Sequence, residues 1–365
     1  VKVLASSQNV AVDDWLAVLT GEYLDDFVAS GGSAVKVVSG TDDVLSQVRD
    51  TLLRISHEKG YWHAHLDPAV LDEAGKRPDL HRMDRFFHAC TRGVDYKAWA
   101  AIQARRHLES RGIRIGPDRG LSDLEGIAAD NGRDPADLLN QYQAELATPQ
   151  LRDHSMAVEF RTAVTALGRV QLMPDSMLPT TEDVLLGWFA GQAMPGGAAA
   201  LKKIQIYDRI TQGNARAMLS SFCSWLPRLG HRGLVVTLDF RPYEVKKLTA
   251  NQVREQKMDR LNQAVGHGAD AAELAAILEA PEPTGVHYSD LAYQHMLALL
   301  RRFIDEIDWF ERFLLVVLSN RSFYDVGSPR NYHNYDALQT RIGLEVRGAQ
   351  QANPAASLVH LVGEA

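Results

Sequence analysis

The stretch Val35-Lys36-Val37-Val38-Ser39-Gly40-Thr41-Asp42-Asp43-Val44-Leu45-Ser46-Gln47 constrains the fold of this chain more than any other. Val35, Val37 and Val38 are the β-branched run of a buried strand, Gly40 breaks it, and Val48, Leu52 and Ile55 then recur at helical spacing. Strand, tight turn and helix form the skeleton of a phosphate-binding loop. Its chemistry needs G-x-x-x-x-G-K-S/T: glycines let backbone N–H groups wrap the phosphates, a Lys reaches the terminal phosphates, and a hydroxyl holds Mg²⁺. Counted from Gly40, the second Gly, the Lys and the hydroxyl fall on Leu45, Ser46 and Gln47, and all three requirements fail. Asp42 and Asp43 also stand where a polyphosphate would lie and would repel it.

At 365 residues and 45% hydrophobic content the chain can bury a large core. Lys plus Arg (39) against Asp plus Glu (46) gives a net charge of −7, so the molecule as a whole is no electrostatic binder of nucleic acid, and a DNA contact would need a local patch. Two cysteines, Cys90 and Cys223, fit neither a disulfide framework nor a zinc set and read as buried thiols in a reducing compartment. No apolar run reaches the roughly 18 residues of a spanning helix, and no leader pattern opens the chain. The expectation is a cytoplasmic protein with no membrane partner.

Residues 1–30 read as a helix capped by Asp13 or Asp14, with Trp15, Leu16, Leu19, Tyr23, Leu24 and Phe27 on one stripe. Gly60 ends the helix after the turn, and Tyr61 to Leu66 alternates as a second strand. Strand, helix and strand in about 30 residues make a βαβ unit and imply a parallel sheet. His57, His63 and His65 invite a metal reading, but no carboxylate or cysteine completes a ligand set, so half-buried strand histidines are expected.

From about 80 to 200 the pattern is polar, Arg-rich and helical. Leu121 to Leu139 holds a turn between two short helices, the second opened by Asp134 and Pro135. It has the outline of a DNA-reading helix-turn-helix, yet the second helix opens acidic where a reader needs Arg, Lys, Asn or Gln, which favours a plain hairpin. Arg105, Arg106, Arg111, Arg114 and Arg119 form the most basic stretch, a candidate nucleic-acid patch set against the commoner solvated helix face.

Ile210 to Leu226 reads as a helix, and Gly233 to Phe240 as a buried strand ending in an acidic residue. That is the shape of a Walker B motif, whose first carboxylate holds Mg²⁺ and whose second polarises water. Asp239 keeps the first position; Phe240, which cannot act as a base, takes the second. Helices are expected over 252–265 and 271–278, then an amphipathic helix through Leu297, Leu300, Phe303, Ile304 and Ile307. Phe313 to Asn320 follows as a buried strand, and Ser357 to Leu361 as a short last one. Asn320, at the polar end of its strand, suits a sensor of bound nucleotide.

These elements resemble the BREX-type (bacteriophage exclusion) ATP-binding protein family. The likeness rests on Tyr23-Leu24-Asp25-Asp26-Phe27-Val28 with Gly31-Gly32-Ser33-Ala34-Val35-Lys36, on Ile210-Thr211-Gln212-Gly213-Asn214-Ala215-Arg216-Ala217-Met218-Leu219, on Gly230 to Asp239, and on Tyr335-Asp336-Ala337-Leu338-Gln339-Thr340-Arg341-Ile342. It runs in order over most of the chain and is thinnest between about 95 and 160. The resemblance implies an α/β fold, P-loop NTPase-like of AAA+/STAND type: a parallel sheet flanked by helices, formed by 1–80 and 200–365, with a mainly helical insertion at 81–199. Family members would carry Gly-Lys-Thr or Gly-Lys-Ser at Leu45-Ser46-Gln47 and Asp-Glu at Asp239-Phe240, so only Asp239, Asn320 and Arg341 match functional positions.

The resemblance thus implies a defence setting while the residues argue against the chemistry. The leading expectation is a catalytically silent ATPase-like scaffold or regulator, without a cofactor, that self-associates or assembles with an active homologous ATPase, a helicase or a modification enzyme. The alternatives are an ATP–Mg²⁺ enzyme in which Lys36 or Lys202 reaches the phosphates, and a DNA-binding adaptor using Arg105 to Arg119.

Overall fold

Strands that are apolar on both faces are expected at the centre of a parallel sheet, and the two most apolar stretches of the chain lie there. The computed structural model describes residues 9–71, 75–138, 140, 155–172, 181–245, scattered positions between 254 and 274, 288–324, 328, 330–342 and 353–363. Six strands, β1 Asn9–Ala11, β2 Ser33–Gly40, β3 Trp62–Leu66, β4 Leu234–Asp239, β5 Phe313–Asn320 and β6 Leu358–Val362, form one sheet in the order β1-β6-β2-β5-β4-β3. Every pairing is parallel. β4 is buried throughout and β5 from Phe313 to Ser319.

The helices are α1 Val12–Val18, α2 Asp42–Glu58, α3 Met83–Cys90, α4 Tyr96–Ser110, α5 Leu124–Asp130, α6 Val158–Leu172, α7 Thr181–Phe189, α8 Gly197–Lys203, α9 Ala215–Trp225, α10 Arg241–Glu244, α11 Asp290–Asp305, α12 Arg321–Tyr324 and α13 Asp336–Ile342. Val44, Leu45, Val48, Leu52 and Ile55 of α2 recur at helical spacing and meet Val38, Val235, Leu314 and Val316 on one sheet face. The other face, through Leu66, Val236, Leu238 and Leu315, is covered by α3, α6, α9 and α11, whose Phe86, Phe160, Phe222 and Phe303 share its core. A smaller cluster, Leu108, Ile113, Ile127 and Leu138, holds α4 to α5 together. The fold is α/β and P-loop NTPase-like, as expected.

The expectations for the N-terminus change. The N-terminal helix is α1 continued by a π-helical segment, Leu19–Phe27, and is preceded by β1, which at three residues is too short to show a periodicity. Asp13 and Asp14 stand in its first turn, and Ala11 occupies the cap. The helices expected over 252–265 and 271–278 fall for the most part outside the described residues.

Candidate functional site

In an open parallel sheet, ligands sit beyond the carboxyl ends of the strands. Here β5 lies between β2 and β4, and Gly40 pairs with Asn320, so Gly40, Asn320 and Asp239 converge on that edge. Leu45, Ser46 and Gln47 do not belong to a loop there. β2 ends at Gly40 and α2 begins at Asp42, so the connection is Thr41 alone. Two Cα–Cα steps span less than about 8 Å, which leaves no run of backbone N–H groups to surround a phosphate. Leu45 is fully buried in the second turn of α2, Ser46 is half-buried and Gln47 exposed. A Cβ on Gly40 would come within 3.0 Å of Val44 Cγ1, so the glycine serves the close approach of α2 to its own strand.

Asp42 and Asp43 are exposed and in the first turn of α2, where the helix dipole favours negative charge. They supply from within the chain the charge that such a terminus would otherwise draw from an anion. Asp42 Oδ1 accepts a hydrogen bond from Arg241 Nη1 at 2.6 Å. The same guanidinium engages Asp239 through Nη2 at 2.6 Å and through Nε at 2.9 Å. Asp239 also accepts from the Arg241 backbone N–H at 3.1 Å, which fixes the start of α10. The hydrogen bond to Asp239 is the chief cause that raises the Arg241 pKa above its ordinary value, so the side chain is a fixed cation. Arg241 therefore lies between the strand-end carboxylate and the carboxylate opening α2, where an NTPase keeps its metal and phosphates.

Phe240 is fully buried, 5.8 Å from the Tyr243 ring and 5.1 Å from Phe323, so the position of the missing base is part of an aromatic core. Sequence reading passed over Glu244. This carboxylate, 8% exposed, accepts the Asn320 backbone N–H at 3.0 Å on both oxygens and Ser322 Oγ at 3.0 Å. Burial pushes its pKa up to about 8, against the opposing pull of those hydrogen bonds. Asn320 is thereby tied to a neighbouring acid. The only sequence signal for Glu244 was its place one helical turn beyond Phe240.

Arg341 does not join this edge: it is on α13, paired with Asp305, and lines a cavity at the opposite end of β2. Lys36 Nζ donates to Tyr23 Oη at 2.6 Å and to the Ala355 carbonyl at 2.5 Å beside that same cavity, while Lys202 lines another, with Trp188 and Met194. Within the basic stretch, Arg105 donates to the carbonyls of Ile115, Gly116 and Arg119, Arg106 to that of Arg228, and Arg119 pairs with Asp123 and Asp130. Arg111 and Arg114 are exposed. His63 Nε2 lies 2.7 Å from Thr237 Oγ1, burial lowers its pKa to about 4, and no group of metal-ligating side chains occurs among the described residues.

Residues 124–278 match the family model described as BREX system ATP-binding protein BrxC/D. The matched span contains Asp239, Phe240, Arg241 and Glu244, begins beyond the β2–α2 junction, and includes part of the stretch where the likeness in quoted residues is thinnest. No curated protein and no solved structure matches the chain.

Proposed function

From the BREX-type ATP-binding family match over residues 124–278, we propose that this chain is a catalytically silent ATPase-like subunit, a scaffold or regulator in a BREX anti-phage defence assembly. The observation that carries the reading is the Asp42–Arg241–Asp239 bridge. An NTPase needs those positions for a metal and a polyphosphate; here one guanidinium lies across them, and the one-residue turn at Thr41 supports the same conclusion. Phosphate-binding Lys and water-activating acid are each worth several kcal/mol of transition-state stabilisation, on the order of 10²–10³ in rate, and both are missing from the sequence. The partners on this reading are an active homologous ATPase, a helicase or a modification enzyme, met in the cytoplasm, with self-association also available.

An ATPase with an unorthodox loop would need a lysine at this edge, and Lys36 and Lys202 both line cavities elsewhere. The adaptor reading draws on Arg106, Arg111 and Arg114 as the exposed members of its stretch.

Two measurements test the proposal. Calorimetric titration with ATP–Mg²⁺ should give no heat of binding, and affinity purification from a host carrying a BREX locus should recover BREX components in defined stoichiometry. ATP hydrolysis abolished by Asp239→Asn, or purification of the chain without any BREX component, would refute it.

A further inference from the structure

We propose that the cavity between α7 and α8 takes one bulky apolar side chain from an acidic peptide segment of a partner protein. None of its lining residues belongs to the β2–α2 junction or to α10, so the inference does not depend on the silent-subunit reading. Val184 and Trp188 stand one turn apart on α7, Leu201 comes from α8, and Ile206 and Ile210 from the segment after it; together they make the apolar lining. The walls are fixed from within the chain. On one side Trp188 Nε1 donates to the Asp208 carbonyl at 2.9 Å and Asn214 Nδ2 to the Arg209 carbonyl at 2.9 Å, while Asn214 Oδ1 accepts the Thr211 N–H at 2.7 Å. Asn214, of the Asn-Ala-Arg run that the sequence singled out, thus holds the segment that closes the cavity. On the other side a Cβ on Gly187 would lie 2.7 Å from Met194 Cγ, so the glycine lets the loop after α7 fold its methionine back onto that helix. A wall set before a ligand arrives saves the ordering cost of binding.

Size and charge select the occupant. The cavity measures about 120 Å³, well short of the roughly 300 Å³ at which cofactor and nucleotide sites begin. An apolar cavity of about 150 Å³ holds a benzene molecule, so a side chain the size of leucine fills this one. Lys202 and Arg209 line it and Lys203 follows on α8; all three are exposed, and none forms an ion pair among the described residues. Asp208 is the one carboxylate among the lining residues, which leaves the rim positive on a chain whose net charge is −7. Carboxylates beside the apolar anchor complement that rim. The backbone N–H groups of Tyr207, Asp208 and Arg209 have no acceptor among the described residues and are available to the carbonyls of a peptide. Tyr207 lines the cavity yet is 70% exposed, and Met194 is 38% exposed. Tyr and Met are enriched where proteins meet, around pockets that seat an anchor side chain.

The test is fluorescence anisotropy on the full chain with a fluorescein-labelled peptide, Gly-Asp-Glu-Leu-Glu-Asp-Gly. Saturable binding is expected, weakened tenfold or more when the leucine becomes alanine, when the four acids become lysines, in the protein variant Ala198→Trp, which fills the cavity from an exposed lining position, and in the double variant Lys202→Glu with Arg209→Glu. The peptide series uses the unaltered protein, so it does not depend on any variant folding. Equal affinity for the alanine peptide, as a merely electrostatic contact would show, equal or tighter binding of the lysine peptide, unaltered binding by Ala198→Trp, or no binding at all would overturn the proposal.

Discussion

The guanidinium of Arg241 holds the carboxylate of Asp239 with hydrogen bonds of 2.6, 2.9 and 3.2 Å, although the residues are only two apart in sequence. This short-range pair turns a strand-end acid into one half of an ion pair. A third group, Asp42, joins from 199 positions away, so the bridge closes the β2–α2 junction onto the end of β4.

Replacing Arg241 by Ala should therefore destabilise the protein by about 2–4 kcal/mol, within the range for removing one partner of a buried pair. Asp239 has 7% of its side chain exposed and would be left without the guanidinium that faces it, while Arg241, at 20%, already has some water. Asp42→Asn, at a side chain 80% exposed, should change stability by no more than about 0.5 kcal/mol. Urea denaturation of the two variants checks the contrast; equal losses would remove the central role given to the Asp239 pair.

ATP–Mg²⁺ at millimolar concentration should leave the melting temperature unchanged. A ligand at a hundred times its Kd would stabilise the fold by about 2.7 kcal/mol, several degrees in a thermal shift assay. A shift of that size would mean that the Thr41 turn reopens to admit phosphate.

Grafting the missing motif should fail. Leu45→Gly, Ser46→Lys and Gln47→Thr fall in the second turn of α2. Losing the buried Leu45 side chain alone costs at least about 3 kcal/mol once the cavity and the glycine are counted. Phe240→Glu buries a carboxylate among Tyr243, Tyr293 and Phe323. Circular dichroism should show the quadruple variant unfolding at lower urea, without nucleotide binding. A folded variant with micromolar affinity for ATP–Mg²⁺ would contradict the structural account.

Stability should fall as pH rises from 6.5 to 8. Glu244 titrates near 8 when folded against an ordinary 4.5, so in this window the folded state holds a proton that the unfolded chain has released. The slope is at most about 1.4 kcal/mol per pH unit. Buried histidines act with the opposite sign and lower down: the His63 pKa falls from 6.5 to about 4, so its contribution is lost as pH drops through that range. Glu244→Gln should flatten the profile between pH 6.5 and 8 while leaving the acid limb; an unaltered slope would show that another group sets it.

The sequence by itself determined five of the sheet's six strands. β3, β4, β5 and β6 lie within a residue or so of their expected ends, because runs such as Phe313 to Leu318 admit few other placements than a strand buried on both faces. The absence of a phosphate-binding Lys and of a second acid was equally plain, since each is a matter of residue identity at a fixed spacing. The tertiary structure alone decided where Gly40 to Gln47 divides. A helix can begin at Asp42 or after Gln47 on the same residues, and burial of Val44 and Leu45 against Val38, Leu314 and Leu318 selects the earlier start. It also decided that Arg241 would meet Asp42, that Glu244 would be sealed under the Asn320 amide, and that Arg341 would face the other end of the sheet. Those are contacts between residues dozens to nearly two hundred positions apart, and local periodicity carries no information about them.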